Sequence, residues 1–188
     1  MAKVPVITDN IGAVVAKMRD NSWDAIFGQA FNGLAPFYMF GHRLEIANRL
    51  KEMELDKVYK YQKYPLIALR IDVPEGYTAD SKGYVSYSLN IAILAFTKDN
   101  IYSDQRMTEV FKPKLHPLYE RFLTELKNSG LFQWDGFPNE RPPHTKIDRP
   151  FWGTAYSPPK EGTEKYIFED PLDAVELVDL KIRSKIKC

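Results

Sequence analysis

Between Tyr84 and Thr97 the chain alternates and then stops alternating. Val85, Tyr87 and Leu89 fall on one side of an extended chain and Ser86, Ser88 and Asn90 on the other, whereas Ile91 to Phe96 is apolar throughout. A period of two predicts a strand, and the loss of polar positions predicts that this half is covered on both faces. A shorter apolar run, Leu66 to Asp72, precedes it, with Pro65 and Pro74 at ends where a ladder donor is dispensable. The two runs read as strands near 65–72 and 84–97. The connection from Pro74 to Gly83 is long for a hairpin, and its polar tip, Ala79, Asp80, Ser81 and Lys82, makes it a natural docking arm.

A period near 3.6 marks the helices. Ile11, Val14, Val15 and Met18 predict one near 9–19, with Thr8 or Asp9 as its cap. Leu44, Ala47, Leu50 and Met53 predict a second near 42–54. A third lies near 104–128, where Met107, Val110, Phe111, Leu115, Leu118, Phe122 and Leu126 recur at three or four residues. Pro113 and Pro117 predict a short turn over 104–111, a break, and a regular helix that Gly130 ends. Between the first two helices, Ser22 to Phe40 reads as a loop with one helical turn. Its aromatics Trp23, Phe27 and Phe31 either fold onto the core or form a contact surface.

The last third differs. Residues 131–171 carry many prolines together with Phe132, Trp134, Phe137, Phe151 and Trp152. Disordered linkers are poor in aromatics, so this stretch reads as an ordered excursion. A closing strand is expected near 174–186. Val175 and Leu177 share one face but Val178, Leu180 and Ile182 the other, so a bulge near Leu177–Val178 or burial on both faces is expected. The whole is an α+β chain, a single domain with a mostly antiparallel sheet.

Composition narrows function mainly by exclusion. At 188 residues and net charge +1, the chain has one core and no global field to recruit nucleic acid or an anionic membrane. The single cysteine, Cys188, allows neither an intramolecular disulfide nor a thiolate metal site. No signal peptide or membrane-spanning run is read, which suggests a soluble protein. His42, His116 and His144 have no zinc-binding spacing, and no phosphate loop or nucleophile elbow occurs. Two groups keep alternatives open. Glu169, Asp170, Asp173 and Glu176 could hold a divalent cation or, with His144, serve a small acid-dependent hydrolase or nuclease. They equally fit a cap where the loop meets the last strand. The stretch Lys57 to Tyr64 interleaves lysines and tyrosines as a single-stranded nucleic-acid binder does, and Lys181, Arg183, Lys185 and Lys187 could meet phosphate. A solvated linker and a lysine-protected edge strand explain these as well.

Several segments together resemble the tail-terminator, tail-completion and neck-ring proteins of tailed bacteriophages, particularly those infecting gut Bacteroidetes. They are Lys63-Tyr-Pro-Leu-Ile-Ala-Leu, Ile91-Ala-Ile-Leu-Ala-Phe-Thr, Phe111-Lys-Pro-Lys-Leu-His-Pro-Leu-Tyr, His144-Thr-Lys-Ile-Asp-Arg-Pro-Phe-Trp-Gly and Asp170-Pro-Leu-Asp-Ala-Val-Glu-Leu. The resemblance implies a small α+β subunit made in the host cytoplasm. It would assemble into a ring, commonly sixfold or twelvefold, at the head–tail junction beside portal, neck or tail proteins. It implies no catalytic residues, metal or cofactor. The expected partner surface is Ala79, Asp80, Ser81, Lys82, Phe132, Trp134, Phe137, Phe151 and Trp152, with the 131–171 excursion gripping an adjacent ring or tail protein.

Overall fold

The alternation in the long strand decides how the layers stack. In the computed structural model, which describes residues 6–19, 23–77, 83–98, 101–136, 140–152 and 170–185, that strand is β4 (Tyr84–Phe96) and lies at the centre of a curled, mostly antiparallel seven-stranded sheet. It pairs with β2 (Leu66–Arg70) on one side and β7 (Leu172–Lys185) on the other. β1 (Phe37–Gly41) adds to β2 in parallel, and β3 (Glu75–Gly76) extends the β2 side against Tyr87 and Ser86. Beyond β7 lie β5 (Phe132–Gln133) and β6 (Thr145–Arg149). The chain is a single α+β domain, as its periodicities predict.

One face of the sheet carries the larger core. Val85, Tyr87, Leu89, Ile91 and Ile93 of β4, Ile67 and Leu69 of β2, and Val175, Leu177, Leu180 and Ile182 of β7 pack there. The cover is α1 (Ile7–Lys17), the short α2 (Trp23–Phe27), and a continuous helical run of α4 (Ser103–Arg106), a π-helical segment Met107–Leu115 and α5 (His116–Asn128). The opposite face is covered at one end only. There α3 (Arg43–Leu55) lays Ile46, Ala47 and Leu50 over Leu66, Ala68, Ala92, Leu94 and Ala174, with Trp152 beside them. Residues Ile91–Ala95 are therefore buried on both sides while Ser86, Ser88 and Asn90 are only partly covered, as expected, but Phe96, expected to be covered with them, is 52 % exposed at the strand end.

Five expectations change. The proline-rich helix does not break: Pro113 sits inside the π segment, whose wider turn accommodates a residue without an N–H and with a ring that crowds the preceding turn. Ser22–Phe40 is more than a loop, because its last residues begin β1; its aromatics Trp23, Phe27 and Phe31 are buried and stack on one another. α1 begins at Ile7, earlier than expected, with no side-chain cap and with Asp9 in its first turn. β7 is not an edge strand, since β4 flanks it on one side and β5 and β6 on the other. The excursion also contributes β5 and β6, which the proline-rich sequence concealed.

The slip in β7 is a bulge. Leu89 faces Leu180 and Ile91 faces Leu177, so one extra residue lies on β7. Asp179 absorbs it at φ 56°. Its amide donates to Asn90 Oδ1 (3.1 Å), and its carboxylate accepts from Ser88 Oγ. The extra residue keeps Leu180 and Ile182 on the helix-covered face with Val175 and Leu177.

Candidate assembly surface

The acidic residues of the last strand do not converge. β7 turns Asp173 to the helix-covered face and Glu176 to the α3 side, because they are three residues apart on a strand of period two. Asp173 and Arg106 are both fully buried and pair at 2.7 Å. The same guanidinium donates to the carbonyls of Lys98 (2.8 Å) and Ile101 (3.2 Å) and lies 3.6 Å from the centre of the Phe151 ring. Glu176 collects Arg43 (3.0 Å), Arg149 (2.7 Å) and the indole N–H of Trp152 (2.8 Å). Burial alone would push its carboxyl up, but these donors hold it below the ordinary glutamate range. Asp170 accepts from Lys63 Nζ (2.6 Å) and the Tyr64 hydroxyl (2.7 Å). Burial and that carboxylate push the Tyr64 hydroxyl far up.

Each of these three carboxylates is thus tied to a cation that joins distant parts of the chain. Glu169 lies outside the described residues. His144 is elsewhere: its Nε2 meets the Tyr119 hydroxyl (2.7 Å) and its Nδ1 the Pro142 carbonyl (2.6 Å). His116 pairs with Asp148 at 2.8 Å. Among the described residues no group of histidine, cysteine and carboxylate side chains is arranged to hold a metal ion, and no helix is long and apolar enough to cross a membrane.

The expected partner residues divide into two sets. Phe132 and Trp152 are buried within the chain, the latter beside Glu176 and under the Arg43 guanidinium, 4.9 Å from its ring. Phe151 is 40 % exposed and Trp134 is half-buried, donating its indole N–H to the Glu140 carbonyl. Ala79, Asp80, Ser81, Lys82 and Phe137 lie outside the described residues. Of the basic groups, Lys181 and Arg183 lie on the open face of β7, paired with Asp179 and Asp135. Lys63 is buried, while Lys57, Tyr59, Lys60 and Tyr61 are exposed on and before the 3₁₀ turn Tyr59–Gln62.

What remains open is the serine-bearing half of the sheet. Beyond the cover of α3, Ser86, Ser88, Lys181 and Arg183 floor a groove of about 380 Å³, walled by Glu75 on one side and Trp134 on the other. Its charges balance, two acids (Glu75 and Asp135) against two bases, and its walls are apolar through Pro74, Trp134 and Pro143. No protein-family model and no curated protein matches the chain.

Proposed function

We propose that this protein is a structural subunit of a tailed-bacteriophage particle, a ring-forming tail terminator or neck connector at the head–tail junction. It would act by fitting against copies of itself and against portal, neck or tail proteins. The reading begins with the sequence resemblance. The observation that carries it further is the unequal covering of the sheet. One half is packed on both faces, whereas the other leaves a groove beside the short strand β3, which lies along the edge of β4. A sheet face left open beside a short edge strand suits assembly, and contacts between unlike patches close into a ring when the rotation permits.

Of the carboxylates that suggested hydrolysis, Asp170, Asp173 and Glu176 act in this reading as internal fasteners, each bound to arginine or lysine. The test is the mass of the purified protein, with electron microscopy of the same sample. Rings of uniform copy number are expected. A chain that stays monomeric at high concentration and is absent from purified virions sinks the proposal.

A further inference from the structure

Two exposed surfaces of opposite character sit at the two ends of β2. Before the strand, the chain leaves α3 through Leu55 (86 % exposed), Val58 (65 %) and Tyr61 (70 %), and Phe96 at the adjoining end of β4 is 52 % exposed. Leu66 lies opposite Leu94, so Tyr64 and Phe96 share this end, with ring centres 6.3 Å apart. Between them opens a cavity of about 190 Å³ lined by Phe31, Tyr61, Tyr64, Phe96, Lys60 and Lys114. It admits one aromatic side chain.

The patch also has a small positive excess, Lys57, Lys60, Lys63 and Lys114 standing against Glu54, Asp56 and Asp170. Its acids are already engaged: Glu54 with Lys60 and Lys63, Asp170 with Lys63, and Asp56 Oδ1 with the amides of Val58 and Tyr59. Lys57 and Lys114 have no acidic partner among the described residues. Exposed aromatics gathered around one cavity, as Tyr61 and Phe96 are here, are the kind of surface that marks an interaction site.

After the strand, Ile71–Tyr77 forms an arm laid along the edge of β4, where Glu75 and Gly76 pair with Tyr87 and Ser86. Ile71 is 47 % and Tyr77 61 % exposed. The segment carries Asp72 and Glu75 and no basic residue, although Arg70 precedes it at the end of β2. Among the described residues Asp72 and Glu75 have no basic partner, and Glu75 accepts from the Tyr77 hydroxyl at 2.6 Å. β2 has five residues, so roughly 16 Å of strand separates the two surfaces at the usual rise of ~3.3 Å per residue.

We infer that the acidic arm Ile71–Tyr77 of one copy docks on the basic aromatic patch Lys57–Tyr61, Phe96 and Lys114 of the next. Charge complementarity selects the partner, and an aromatic of the arm, Tyr77, fills the cavity. The two patches are unlike and lie at opposite ends of one strand, so each copy engages two neighbours at once. That is the heterologous geometry a ring requires. The inference rests on the ring reading and adds to it which surfaces meet.

Charge reversal tests it. One variant carries Lys57→Glu and Lys114→Glu, a second Asp72→Lys and Glu75→Lys. All four side chains are at least partly exposed, and thermal unfolding verifies that both variants are folded. Each alone is expected to run as a monomer. Combining all four changes in one chain is expected to restore the ring, because reversed arms then meet reversed patches, and mixing the two variants is expected to restore an even-numbered ring in which they alternate, reversed pairs at one interface and wild-type pairs at the next. Wild-type rings that persist in both variants overturn this docking while leaving the ring reading intact. Rings lost in either variant and restored in neither the mixture nor the combined chain also overturn it. A wild-type chain that forms no ring overturns both.

Discussion

At the level of single residues, the strongest commitment is the buried pair of Arg106 and Asp173. Taking both charges out of water is costly, and the structure offsets it with carbonyls from Lys98 and Ile101 and with the Phe151 ring. Asp173 also accepts from the Phe151 amide at 3.0 Å, while its Oδ2 has no hydrogen-bond partner. Asp173→Ala strands the guanidinium in the interior and is expected to cost about 3–5 kcal/mol in denaturant unfolding. Arg106→Met strands the carboxylate instead. The double variant should lose less than the sum of the two, with a coupling of at least ~1 kcal/mol; strict additivity would show that the pair does not act as a unit. None of this was legible beforehand. Asp173 stood out in sequence only as part of an acidic group, and nothing in the spacing of Arg106, 67 positions earlier, announces its partner. The same holds for Glu176, whose cations come from α3 and β6. Ion pairs across a fold leave no local period, so carboxylates that look like a catalytic cluster can separate onto opposite faces of one strand.

Whole elements were legible where a periodicity ran long enough. β4, α3 and the half-buried alternation of Ser86, Ser88 and Asn90 follow directly from the pattern, and the phase slip of β7 foretold its bulge. β1 escaped because Phe37–Gly41 is uniformly apolar, five residues long and embedded among aromatics that belong to the core. β6 escaped because Thr145–Arg149 is an outer, largely polar strand beside prolines. The bulge supplies a test at this scale. Deleting Asp179 removes the residue that has no counterpart on β4 and leaves Leu180 and Ile182 facing the helices. Such a chain should fold within about 1–2 kcal/mol of wild type, the loss being of the order of its hydrogen bonds to Ser88 and Asn90. Deleting Lys181 instead turns Ile182 to solvent and Arg183 inward, and should cost about 3 kcal/mol or more through lost burial and an interior charge. Chemical denaturation of the two deletions compares them. Equal losses would show that the bulge does not set which side chains face the core.

For the whole molecule, the ionisable groups define a window of stability with two edges. On the acid side, burial pushes the carboxyls of Asp148 and Glu176 up, but cations and hydrogen-bond donors outweigh it and hold both below their ordinary values: Lys146 and His116 for Asp148, Arg149, the Trp152 indole and Arg43 for Glu176. A carboxyl whose folded value is depressed stabilises the protein above its unfolded value, about 4. That contribution is lost as pH falls through the lower, folded value. On the alkaline side, burial pushes the hydroxyl of Tyr87 up to about 12 and those of Tyr38 and Tyr64 higher still, with Asp9 and Asp170 adding to the last two. A tyrosine raised in the folded state contributes fully below its unfolded value, about 10, and the contribution disappears as pH climbs toward the folded value. Unfolding free energy measured against pH should therefore be nearly level between about pH 5 and 9 and fall on both sides. Tyr64→Phe, which removes the hydroxyl facing Asp170, should lower the plateau slightly and make the alkaline fall shallower, whereas Glu176→Gln should soften only the acid fall. The two edges belong to different parts of the fold: Glu176 ties α3 and β6 to β7, while Tyr64 lies at the end of β2 beside the basic patch. If each substitution altered both edges, stability would be governed by net charge rather than by these buried partners.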